Sequence, residues 1–89
     1  MLKGLYICDM KNQYNDNGYE EGLWEDYHIN GEVCTRRIYR NGFLNGLYEK
    51  FHINGQMHIK GNFLDYECVG IWFFYEPDGL LRMKKYYYI

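Results

Sequence analysis

The sequence repeats itself every 24 residues without a gap, and few features restrict a fold more. Gly22-Leu23-Trp24-Glu25-Asp26-Tyr27-His28-Ile29-Asn30-Gly31 aligns with Gly46-Leu47-Tyr48-Glu49-Lys50-Phe51-His52-Ile53-Asn54-Gly55. Both align with Gly70-Ile71-Trp72-Phe73-Phe74-Tyr75-Glu76-Pro77-Asp78-Gly79. The shared pattern is Gly, aliphatic, aromatic, two variable, aromatic, two variable, Asn or Asp, Gly. The second halves align as well. Val33, Met57 and Leu81 share one column, Thr35, Ile59 and Met83 another, and Tyr39, Phe63 and Tyr87 a third. Mostly apolar columns alternate with mostly polar ones, which is the period of a half-buried strand.

Between the halves of each unit stand Asn30-Gly31, Asn54-Gly55 and Pro77-Asp78-Gly79. Asn-Gly supplies the two positive-φ residues of a type I′ turn, so each unit reads as a β-hairpin. The spacing predicts strands over 23–29 and 32–39, 47–53 and 56–63, and 71–76 and 80–88. Arg40 to Asn45 and Leu64 to Val69 read as linkers that return the chain to the next hairpin. Gly22, Gly46 and Gly70 recur at the entrance to each first strand, where a bulge or a close backbone approach would require them. The units are 22–45, 46–69 and 70–89. Residues 1–21 read as a degenerate capping unit. Gly4-Leu5-Tyr6 resembles Gly46-Leu47-Tyr48, and Gly18-Tyr19-Glu20-Glu21-Gly22 resembles Gly42-Phe43-Leu44-Asn45-Gly46, but the offset is shorter than in the full units. Atypical terminal units are expected of a stack that must cap its ends.

Composition agrees with an all-β chain. Alanine, the best helix former, is absent, while 11 Tyr, 5 Phe and 2 Trp favour strands and 10 Gly favour turns. At 89 residues the chain has room for one domain and no deep core. Three cysteines, Cys8, Cys34 and Cys68, form no CxxC pair and cannot all pair within the chain; they read as reduced thiols of a cytoplasmic protein. The opening Met1-Leu2-Lys3-Gly4 does not read as a signal peptide, and no apolar run has the length of a membrane span.

The motif Gly-x-(Trp/Tyr)-x-x-(Tyr/Phe)-x-x-(Asn/Asp)-Gly-x-hydrophobic resembles the MORN repeat, the membrane occupation and recognition nexus. The likeness covers residues 22–88 in three copies. It is closest to the short variant found in bacterial proteins catalogued as antitoxin-like. The resemblance implies successive hairpins lying side by side in one elongated, twisted antiparallel sheet. It implies no catalysis, but roles as scaffolds, oligomerisation modules and lipid binders. The Pro77 turn and the absence of a Gly-rich segment after Tyr87 depart from the pattern.

The residues themselves offer little for catalysis, metals or cofactors. Serine is absent, so no serine nucleophile exists. His28 and His52 share a column, as do Cys34 and His58, but equivalent strands of adjacent hairpins lie roughly 9.5 Å apart, too far to share a zinc ion. The histidines therefore read as ordinary surface side chains. Cys34 is expected near Tyr27 or Asp26 rather than a histidine, so no Cys–His pair forms. Glu20-Glu21 and Glu25-Asp26 are adjacent strand residues that point to opposite faces, unlike a glycosidase pair. No phosphate-cradling loop or dinucleotide motif is present.

What remains is surface. Residues 1–32 carry seven acids and two bases, net −5, and the remainder eight bases and five acids, net +3, within a total of −2. Such a balance does not recruit nucleic acid or a membrane by global charge. Arg36, Lys60 and Lys84 share one column, and Arg37 and Lys85 the next. They would either line a phosphate or lipid headgroup surface or pair across strands with Glu25 and Glu49. Trp24, Tyr48 and Trp72 form one aromatic ladder and Tyr27, Phe51 and Tyr75 another, on opposite faces. The last strand ends in Tyr86-Tyr87-Tyr88-Ile89, a long apolar edge that invites strand addition or a homodimer. The chain is therefore expected to be a non-catalytic module that binds another protein. An antitoxin, or a phage anti-defence inhibitor that occupies a host nuclease, would fit. Glu20, Glu21, Glu25 and Asp26 would meet a basic groove, and Trp24, Tyr48, Trp72, Tyr86, Tyr87 and Tyr88 would supply aromatic contact. The alternatives are phosphoinositide binding through Arg36, Arg37, Lys60, Lys84 and Lys85, and a homo-oligomeric scaffold.

Overall fold

The structure is a computed structural model that describes residues 11–88. Gly4-Leu5-Tyr6, Cys8 and Ile89 lie outside the described residues. Seven strands follow one another: β1 (Gln13–Tyr14), β2 (Glu20–Tyr27), β3 (Val33–Arg40), β4 (Phe43–Phe51), β5 (Met57–Leu64), β6 (Glu67–Tyr75) and β7 (Leu81–Tyr87). Each pairs antiparallel with the next, in the order of the sequence, to make one open sheet. The described chain is all-β, and the tandem hairpins lie side by side as expected.

The turns depart from expectation in an informative way. Asn30-Gly31 and Asn54-Gly55 do not make type I′ turns, because among these residues only the glycines have positive φ, +88° and +89°. Gly31 N–H donates to His28 O, and His28 N–H to Glu32 O. This is a type I turn closed by a left-handed glycine, a three-residue loop. His52–Gln56 and Glu76–Leu80 repeat the same pair of bonds, and so does Asn15–Tyr19. The side chains explain the choice. Asn30, Asn54 and Asp78 each turn Oδ1 onto the backbone N–H two residues on, at 3.0, 2.9 and 3.0 Å. An Asx turn of this kind holds its own residue out of the left-handed region.

The segments read as linkers instead carry the two-residue turns. Asn41 and Gly42 have φ of 51° and 85°, and Asp65 and Tyr66 have φ of 49° and 72°. Arg40 pairs with Phe43 and Leu64 with Glu67 directly across them. These are turns of the type I′ class. Paired strand thus runs through both segments, and β4 and β6 each start four residues earlier than the sequence suggested.

Two irregularities cancel in each repeat. A three-residue loop shifts the register by one, and a bulge shifts it back. The bulge leaves Cys34 as the extra residue between Tyr27↔Val33 and Asp26↔Thr35. His58 is its counterpart in the second hairpin and Arg82 in the third. Beyond the bulge Glu25 faces Arg36 and Glu49 faces Lys60, the pairs that a simple two-residue turn would also produce. A second irregularity sits at the entrance glycines. Ile38 alone spans the stretch of β4 around Gly46 (φ 116°), and Gly61 spans the stretch of β6 around Gly70 (φ 72°). These bulges are what the recurring glycines are for.

A single sheet can bury side chains only against each other. The aromatic face does so. Trp72 is the one buried apolar residue among those described, at 5% exposure. Its ring meets Phe63 and Tyr87 edge-on at 5.0 and 6.1 Å and tilts against Tyr48 at 5.6 Å. The indole N–H donates to Asn62 O at 3.1 Å. Gly61 makes room beneath it: a Cβ there would fall 2.1 Å from the indole ring. Trp24 forms the smaller counterpart between Tyr14 and Tyr39.

Candidate binding surfaces

The strand register assigns each side chain to a face. Trp24, Tyr48 and Trp72 lie on the aromatic face with Tyr39, Phe63 and Tyr87. Tyr27, Phe51 and Tyr75 lie on the opposite face, as the spacing of three within a strand predicts. Along that second face runs a ladder across all six long strands: Glu25, Arg36, Glu49, Lys60, Phe73, Lys84.

The acids grouped as a partner surface do not form one patch. Glu25 is buried at 8% exposure on the charged face. Its Oε1 accepts from Tyr27 Oη at 2.7 Å and Lys11 Nζ at 3.1 Å, and its Oε2 from Arg36 Nε at 2.6 Å. The Tyr27 hydroxyl first, with Arg36 and Lys11, holds this carboxyl down at about 2 against the opposing effect of burial. Lys11 is pushed up to about 12, chiefly by its bond to Tyr27 and then by Glu25. Asp26 points to the aromatic face, where Arg37 and Thr35 bond it. Glu21 sits at the far end and accepts from Asn41 N at 2.8 Å and Asn15 Nδ2 at 3.3 Å. Glu20, half-buried, offers its backbone oxygen to Gly42 N–H. Three of the four carboxylates therefore hold strands and turns together.

The cations divide in the same way. Arg36 lies between Glu25 and Glu49, the latter at 3.9 Å. Arg37 is on the other face, bonded to Asp26, Thr35 and the Tyr39 hydroxyl. The pair of columns does not make one five-cation surface. Lys60, Lys84 and Lys85 are exposed and form no ion pair among the described residues. Lys84 rests over the Phe73 ring and Lys85 over the Tyr87 ring.

The predicted aromatic contacts also separate. Trp72 is core, and Tyr48 and Trp24 are half-buried in the same face. Tyr87 packs on Trp72, whereas Tyr86 and Tyr88 are exposed at 55% and 91%. Leu23, Tyr27, Ile71, Leu81 and Tyr86 leave apolar surface on the charged face, Ile29 and Ile53 leave more on the three-residue loops, and Leu80 leaves more beside the third.

The histidines are not plain surface side chains. His28 Nε2 lies 2.9 Å from Phe51 O, and His52 Nε2 lies 3.0 Å from Tyr75 O. Asn30 Nδ2 donates to Ile53 O and Asn54 Nδ2 to Pro77 O. Each loop thus bonds the loop of the following hairpin. The His52 ring also stacks on His58 at 4.1 Å. Burial first, then His52, Lys50 and Arg82, lower the His58 ring below its ordinary value, with Glu76 opposing. Sequence columns missed both arrangements, because they compare equivalent positions and the partners here are not equivalent. Among the described residues no three His, Cys, Asp or Glu side chains converge to hold a metal ion. Burial pushes the Cys68 thiol up, which leaves less thiolate at neutral pH. No helix of the described residues is long and apolar enough to cross a membrane.

Compared with known families, curated proteins and solved structures, the chain matches no family model, no curated protein and no solved structure.

Proposed function

We propose that the chain is a non-catalytic module that binds another protein. The observation behind this reading is the one-layer sheet: a single apolar residue is buried among those described, while Leu23, Tyr27, Ile71, Leu81 and Tyr86 stand exposed on one face. Exposed apolar surface of this kind marks partner sites. The resemblance to MORN hairpins, which serve as scaffolds and assembly modules, supports the same class. Within it, a neutralising role against a toxin or nuclease is the version favoured by the antitoxin-like variant of the repeat. The carboxylates contribute less to this reading than the apolar face and the free strand edge, because Glu25, Asp26 and Glu21 already have internal partners.

The test is affinity capture from source-cell lysate with the wild type and a Tyr27→Ser/Leu81→Ser/Tyr86→Ser variant, both checked for folding by circular dichroism. One stoichiometric partner that co-elutes with the wild type in gel filtration supports the reading. Absence of any stoichiometric partner for either protein overturns it.

A further inference from the structure

We propose that β7 is a template edge that takes up an extended segment of another protein, in which an aromatic residue is followed directly by a carboxylate. The proposal deepens the reading of the chain as a protein-binding module and rests on it. β7 is bonded on its β6 side only, among the described residues, so half of its backbone N–H and C=O groups face outward.

The interior of the sheet shows what such an edge prefers beside it. Arg36 and Arg37 of β3 are the counterparts of Lys84 and Lys85 of β7, two repeats earlier. On one side Arg36 faces Glu25 and Arg37 faces Trp24; on the other Arg36 faces Glu49 and Arg37 faces Tyr48. The basic pair is therefore met from both sides by the same antiparallel step, aromatic then acid. β7 has a neighbour only inward among the described residues, and there Trp72 faces Lys85 but Phe73, not an acid, faces Lys84. Its outer side has room for the missing carboxylate opposite Lys84 and an aromatic ring opposite Lys85. Neither lysine has a carboxylate partner among the described residues.

Two observations argue against a second copy of this chain as the occupant. Symmetric antiparallel β7–β7 pairing centred on Lys84 would set that lysine against its own counterpart, and pairing centred on Met83 would set Arg82 against Lys84 of the other copy; like charges directly opposite one another are destabilising. Addition of another hairpin in the register of the repeat would lack the loop bonds that join the earlier hairpins. There His28 and Asn30, then His52 and Asn54, donate to the following hairpin, but the third loop carries Glu76 and Asp78 in those columns. Carboxylates have no proton to donate to a carbonyl. Strand addition by an unrelated acidic segment needs none of those loop bonds, and the seven residues of β7 match the length of a short peptide strand.

The experiment uses the full chain and labelled peptides of about eight residues, a typical strand length. The peptides are Thr/Val-rich with a central Tyr-Glu, Tyr-Lys or Tyr-Gln step, and binding is read by fluorescence anisotropy. The Tyr-Glu peptide should bind about tenfold more tightly than the Tyr-Lys peptide, and Lys84→Glu should reverse the order. Amide resonances of 81–87 should shift on titration. Equal binding of the peptides, or a preference unchanged by Lys84→Glu, overturns the proposal. So does concentration-dependent dimerisation that the variant abolishes, which would make the occupant a second copy. Binding to phosphatidylserine vesicles without binding to any peptide would overturn it in favour of lipid. If a lysate partner is captured equally by wild type and Lys84→Glu, the edge proposal fails while the protein-binding reading stands.

Discussion

Among the described glycines, Gly61 has the tightest neighbour, the Trp72 ring. A methyl group at Gly61 would fall within 2.1–2.6 Å of three indole carbons, so Gly61→Ala must displace the buried ring. Overpacking of this kind costs about 1–3 kcal/mol. We expect a lower urea midpoint for Gly61→Ala and a red-shifted tryptophan emission. Glu25 is the other demanding residue. Its carboxyl falls from an ordinary 4.5 to about 2 in the folded chain. A carboxyl whose folded value is depressed contributes its stabilisation in full above the unfolded value and loses it as pH falls toward the folded one. The wild type should therefore lose stability between about pH 4.5 and 2, and Glu25→Gln should be less stable at pH 7 but flatter across that window, as read by thermal unfolding in a pH series. Glu25 and Arg36 were legible in sequence as an opposed pair only for a two-residue turn, and a bulge restores that pairing behind the three-residue loop. That Glu25 is buried was not legible, because nothing in the repeat marks Lys11 and Tyr27 as its further partners.

Hairpins in this sheet are joined by more than strand pairing. At one end of the sheet the His28–Glu32 and His52–Gln56 loops each donate a histidine and an asparagine to the next hairpin. At the opposite end the turns donate the other way, from the later hairpin back to the earlier one. Gly42 N–H donates to Glu20 O, Tyr66 N–H to Leu44 O and Tyr66 Oη to Gly42 O. Asn12 works at the first long strand, where its carboxamide bonds both the N–H and the C=O of Glu25 in place of a backbone neighbour. His52→Ala removes one such link, and a hydrogen bond of this type contributes about 1 kcal/mol. The expected result is a modest fall in melting temperature together with faster amide exchange in the 76–80 loop. Unchanged exchange there would show that the loops are held by strand pairing alone. The strands and their pairs were readable from column alternation. The turn types were not, because Asn-Gly serves both a type I′ turn and a type I turn with a left-handed glycine, and the asparagine side chain decides between them.

At the scale of the molecule, the sheet spans 44 × 35 × 21 Å and has no second layer among the described residues. With so little buried, stability is spread along the stack, and each hairpin depends on its neighbours. The exposed β7 edge is guarded by Arg82, Lys84 and Lys85. Charges of this kind keep open sheets from joining edge to edge. Lys84→Ile/Lys85→Ile should convert the edge into a self-associating one, seen as a concentration-dependent rise in mass by light scattering, while the wild type stays at lower mass under the same conditions.

The 24-residue period, the alternation within each half and the Asn-Gly steps were sufficient to determine an all-β chain of side-by-side hairpins, since each rests on local backbone preference and on a side-chain period of two. From the sequence, the opposition of Glu25 to Arg36 and of Glu49 to Lys60 depended on a two-residue turn; the structure has three-residue loops and keeps both pairs because a bulge shifts the register back. Only the tertiary structure decided which charges are internal. Glu25, Asp26 and Arg37 are partnered by side chains whose approach depends on bulges and loop closure rather than on sequence spacing. It also decided that the His column ties loop to loop, and that Trp72 lies in the core while its column-mate Trp24 is only half-buried. Burial depends on how many strands flank a position, and Trp72 alone combines a glycine beneath it with aromatic rings on three neighbouring strands.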